Sequence, residues 1–81
     1  MEREEIFAKL NGIFRDVFDD GNIEVTDMTT ANDIEGWDSL MHISLISAVE
    51  DEFDIKFNMK EVVSMENVGE MADIIARELE E

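Results

Sequence analysis

One hydroxyl in this chain sits where it could carry chemistry. Ser39 lies in the run Gly36-Trp37-Asp38-Ser39-Leu40, between a long acidic loop and an apolar-periodic segment. Asp38 is a strong N-cap residue, because its side-chain oxygen accepts a bond from a backbone N–H the helix leaves unpaired. That places Ser39 at about the first helical position, where free N–H groups and the positive end of the dipole favour an anion. A phosphodiester on that hydroxyl would hold its negative charge there at little electrostatic cost. Gly36 supplies freedom for a tight turn into the helix, and Trp37, the single tryptophan, is expected to pack the loop onto the rest of the fold.

Two other chemistries compete for these residues. His42 stands three positions after Ser39 on the same helical face. A Ser–His nucleophile pair also needs an oxyanion hole and shelter from water. A helix surface supplies neither, and there is no Gly-x-Ser-x-Gly elbow. His42 is therefore read as a docking contact or a solvated residue. Carboxylates abound, but no run matches the calcium loop that sets ligands at fixed positions. An acidic interaction bundle with diffuse divalent binding is the remaining non-covalent alternative.

The elements that must position Ser39 read as helices. Ile6, Phe7, Leu10, Ile13, Phe14, Val17 and Phe18 recur at three-and-four spacing, and Glu2, Glu4 and Glu5 favour the first turn. Asp19, Asp20, Gly21 and Asn22 stop that helix. Residues 19–37 lack a sustained period and predict an ordered loop pinned by Ile23, Val25, Met28 and Ile34, with room for a short helical turn. The second helix begins after Asp38, with Leu40, Ile43, Ile46, Val49 and Phe53 as its buried face and Leu45 and Ala48 on the margin. Phe53 to Phe57 alternates as an extended connection. Asn58 caps a short helix carrying Met59, Val62 and Val63. Asn67 with Glu70 resembles a capping box and opens a last helix with Val68, Met71, Ala72, Ile75 and Leu79 on its stripe. The fold class expected is all-α: a four-helix bundle of three long helices and one short, with a long loop between the first two.

Eighty-one residues form one expected domain, 1–81, with a small core and no room for a deep catalytic cavity. No cysteine is present, which removes disulfides, thiolate metal sites and a cysteine nucleophile. The apolar runs are too short for a transmembrane helix, and the acidic start MEREEIF is unlike a targeting peptide. A cytoplasmic monomer is expected. The formal net charge is −16, and no basic residue lies between Arg15 and Lys56. That field excludes nucleic acid and anionic membrane as partners and favours basic protein surfaces. Self-repulsion predicts that added salt or divalent cations raise the melting temperature; melting that is flat or falls with salt would contradict it.

At Asp38-Ser39-Leu40 the chain resembles the acyl carrier protein family. The likeness is densest in DIEGWDSLMHISLISAVEDEFDIKF, where Glu50, Phe53 and Ile55 follow at family spacing. Asn67-Val68-Gly69-Glu70-Met71 is similar to the family's entry into its last helix. The resemblance implies a 4'-phosphopantetheine arm on Ser39, flanked by Asp38 and Leu40, holding acyl groups as thioesters. It implies a non-catalytic carrier, modified by a phosphopantetheinyl transferase with coenzyme A as donor. It then serves acyl ligases, synthases or transferases with basic docking patches, in fatty-acid, polyketide or a related specialised pathway. Glu35, Trp37, Asp38, Met41, Glu50 and Asp51 are the expected docking residues, and Met41, Ile43, Ile46, Phe53, Val62, Val63 and Ile75 candidate cleft residues. Residues 41–47 contain no carboxylate, unlike typical fatty-acid carriers. A peptidyl or aminoacyl carrier is the rival within the class; its usual lead into the serine is matched poorly by Glu35-Gly36-Trp37-Asp38.

Overall fold

The computed structural model describes residues 1–80, and their order is α1 (Arg3–Val17), a 3₁₀ turn (Ala31–Asp33), α2 (Ser39–Phe53), α3 (Met59–Ser64) and α4 (Val68–Leu79). Three long helices and one short one are what the periodicity predicts. None among the described residues is long and apolar enough to cross a membrane.

Helix α1 opens with the Glu2 backbone N–H donating to the Glu5 carboxylate at 2.9 Å. It closes where Asp19 takes a left-handed conformation, φ 53°, a geometry Asp tolerates better than most residues. Ile6, Leu10, Ile13 and Phe14 are buried on its inner stripe. Helix α4 contributes Val68, Met71, Ala72, Ile74 and Ile75 to the same core. Its capping box is only half made. Asn67 Oδ1 accepts from Glu70 N at 2.9 Å, but the Glu70 carboxylate accepts from Glu66 N rather than from the cap residue.

Helix α2 departs from the expected face. Leu45, Ile46, Val49 and Phe53 are buried, whereas Leu40 and Ile43 are 76 % and 56 % exposed. Stepping by three residues falls about 60° short of a full turn each time. The series from Leu40 to Val49 therefore drifts to the opposite side of the helix, and Leu45 belongs to the core. Asp54 in the left-handed region, φ 57°, ends α2. The connection then alternates as anticipated, with Ile55 buried and Asp54 and Lys56 exposed. In α3 only Val62 is buried; Met59 and Val63 face solvent.

The 18–38 loop is ordered by its backbone bonds. Val25 N donates to Asn11 Oδ1 at 2.6 Å and the Arg15 side chain donates to Ile23 O at 2.7 Å, both from α1. Val68 N donates to Thr29 O at 2.8 Å, and Gly69 N to Asp27 O at 3.1 Å. Val25 and Ile34 are buried beneath, but Met28 is 77 % exposed and pins nothing. Arg3 pairs with Asp27 and Asp73 and donates to Gly69 O, closing the start of α1 onto this junction.

Gly69 permits the close approach. A Cβ there would stand 2.7 Å from the Asp27 carbonyl oxygen, which is backbone and cannot swing away. Gly69→Ala is expected to push the loop off α4 and cost about 1–3 kcal/mol, read as a lower urea midpoint. An unchanged midpoint would contradict this packing.

Candidate functional site

Ser39 is the first residue of α2 and its side chain is exposed. Asp38, with extended backbone, caps the helix by accepting from Met41 N at 2.9 Å. The first turn of α2 carries neither acidic nor basic side chains. The hydroxyl thus stands at a helix end where the local positive field is uncompensated except by the cap. The chain reaches this position through Gly36 at φ 91°, in the region that favours glycine.

Trp37 anchors the approach. Its ring meets Phe14 edge-on at 5.3 Å between centroids and lies 6.1 Å from Phe18, so the loop is packed onto α1 as expected. Its indole N–H donates to His42 Nδ1 at 3.0 Å, and the two rings stack at 5.9 Å. His42 Nε2 lies 3.0 Å from the Val62 carbonyl of α3. His42, expected from sequence to be a docking contact or a solvated residue, is a half-buried bridge between Trp37 and α3. Nothing in a helical-face pattern shows that an indole and a distant carbonyl converge on it.

Beside Ser39 lies a cleft of about 510 Å³ between α2 and α3. Trp37, His42 and Ile43 line it from one side, and Met59, Val62 and Val63 from the other. Of the candidate cleft residues, Ile43, Val62 and Val63 do line it. Ile46, Phe53 and Ile75 are buried in the core, and Met41 is half-buried on α2 away from the lining.

Of the six expected docking residues, Glu35, Trp37, Asp38 and Met41 lie close to Ser39 along the chain, and Glu50 and Asp51 lie further along α2. Glu35 and Asp38 are exposed near Ser39, and Met41, two residues after it, is half-buried. Trp37 is occupied by packing. Glu50 accepts from Phe57 N at 2.8 Å and so holds the α2–α3 connection. Asp51 is exposed, but twelve residues along α2 from Ser39 it lies about 18 Å away along the axis.

A family model described as the phosphopantetheine attachment site matches residues 8–75. The fold matches a solution structure of holo acyl carrier protein from Geobacter metallireducens with a TM-score of 0.86. The two are 44 % identical over 91 % of this chain and 85 % of that one. The chain belongs to the acyl carrier protein family. No curated protein matches it.

Acyl carrier proteins bear 4'-phosphopantetheine as their prosthetic group, and the residues here fit such a group. An exposed hydroxyl is within reach of a modifying enzyme, and an apolar cleft opens beside it. Carriers of this type are non-catalytic and work with phosphopantetheinyl transferase and acyl-handling enzymes. The absence of cysteine is consistent with that chemistry, because the working thiol arrives on the arm.

Proposed function

We propose that Ser39 is the attachment residue of this carrier and that it is loaded as a substrate of a phosphopantetheinyl transferase using coenzyme A. The observation that carries this is the exposed Ser39 hydroxyl at the Asp38-capped start of α2, in the Asp-Ser-Leu motif. In the loading step the Ser39 oxygen attacks the phosphorus of coenzyme A that bears the pantetheine. The new bond is Ser39 O–P; the P–O bond to the adenosine 3',5'-bisphosphate leaving group breaks, and the hydroxyl proton passes to a base on the transferase. The transferase also supplies the divalent cation that neutralises the pyrophosphate. Once bound, the arm's terminal thiol holds an acyl group as a thioester.

This chain's residues then position the attachment. Asp38 fixes the first turn of α2, and the positive end of that helix favours the phosphodiester charge. Partner enzymes meet a mixed surface: Glu35 and Asp38 offer negative charge to basic patches, while Leu40, Ile43, Met59 and Val63 stand exposed around Ser39. With no carboxylate in the first turn of α2, this surface suits a dedicated acyl ligase or transferase of a specialised pathway better than enzymes that need an acidic recognition helix. The test is the intact mass of the wild-type protein after incubation with coenzyme A and a broad-specificity transferase. A gain equal to the phosphopantetheine arm, located by fragmentation on the peptide containing Ser39, is expected. A gain elsewhere, or none, overturns the reading.

A further inference from the structure

The hydrogen-bonding sense around His42 is determined by its partners. A tryptophan indole nitrogen can only donate, so His42 Nδ1 accepts at 3.0 Å. A carbonyl oxygen can only accept, so His42 Nε2 carries the proton and donates to Val62 O at 3.0 Å. The ring is therefore a neutral imidazole protonated at Nε2, with both nitrogens engaged.

The element it holds is weakly self-supporting. Helix α3 has six residues, too few to persist without tertiary contacts. Val62 O is among the last four carbonyls of α3, which have no partner within the helix. The imidazole satisfies it from α2. Beyond this bond α3 is tied by the buried Val62 side chain and by the Arg77–Glu61 pair at 2.7 Å, whose arginine is exposed and whose glutamate is half-buried. On its other side the ring is fixed by Trp37, itself locked against Phe14 and Phe18 of α1. One side chain thus connects α1, through Trp37, to α3. It does so in the wall of the cleft, three residues from Ser39.

We infer that His42 is a positioning residue that latches α3 and sets the width of the cleft beside Ser39, and so governs how well a group tethered there is sheltered from solvent. The second half rests on Ser39 being the attachment residue; the latch itself does not. In unmodified wild-type protein, long-range proton–nitrogen correlation should show His42 protonated at Nε2 alone. The protonated-Nδ1 tautomer would overturn the latch even if no variant folded.

His42→Leu keeps the bulk and removes both bonds. Amide exchange in α3, at Val62, Val63 and Ser64, should then rise roughly tenfold while α1 and α4 exchange as before. His42→Gln, which retains a donor and an acceptor, should recover part of the protection. Unchanged α3 exchange in His42→Leu, or a uniform rise through all helices, rejects the latch. With an acyl group loaded, release by hydroxylamine should be several-fold faster in His42→Leu than in wild type. Loosened α3 with unchanged release rejects the claim about the cleft. Failure of the wild-type protein to accept the arm would refute the attachment residue and leave the tautomer and exchange results standing.

Discussion

Ser39→Ala leaves a folded protein that gains no mass from coenzyme A and a transferase. The loss is complete because the transfer needs an oxygen nucleophile and alanine has none. The fold is spared for separate reasons. Ser39 is exposed, alanine is a good helix former, and Asp38 still caps α2 through Met41 N. The melting temperature should therefore reflect a change within about 0.5 kcal/mol, the range of exposed substitutions. Ser44 and Ser47 are also exposed on α2 and provide the control. Ser44→Ala and Ser47→Ala should accept the arm as wild type does. If Ser39→Ala still gains the mass, the attachment lies elsewhere. If one of the two control variants loses it, the helix start has been given a role that belongs further along α2.

Phe14→Ala has the largest expected effect on stability. The ring is fully buried and joins Phe18 at 5.9 Å and Trp37 at 5.3 Å. Removing it costs about 3–5 kcal/mol, lost transfer energy together with the cavity left behind. A domain of this size has about 5–15 kcal/mol in total, and a net charge of −16 opposes its compaction. The variant should melt about 12 °C or more below wild type, and salt should recover part of the loss. The position also carries a second consequence. Trp37 packs on Phe14 and donates to His42, so its fluorescence should shift before the helices unfold. A melting temperature within a few degrees of wild type would show that Phe14 does not organise this core.

The helices and the serine were legible for a common reason: both are local. The three-and-four spacing of Ile6, Leu10, Ile13 and Phe14 is a property of fifteen consecutive residues, and an N-cap acts within one turn. The Asp38 cap, the Gly36 turn and the Asn58 cap all appear where residue type places them. Helix α2 was harder because apolar residues surround much of it. Leu40, Ile43, Leu45 and Ile46 permit more than one stripe, and the choice depends on which neighbours exist to cover them. With α3 only six residues long, Leu40 and Ile43 remain uncovered.

By itself, then, the sequence determined an all-α chain, its helix boundaries, its one-signed charge and the hydroxyl placed at a helix start, since each follows from residues near one another along the chain. Only the tertiary structure decided the cleft, the exposed apolar ring around Ser39 and the roles of His42 and Glu50. Those depend on groups far apart in sequence meeting at hydrogen-bond distance, His42 with Trp37 and Val62, Glu50 with Phe57, and no local periodicity encodes which carbonyl or indole a side chain will meet.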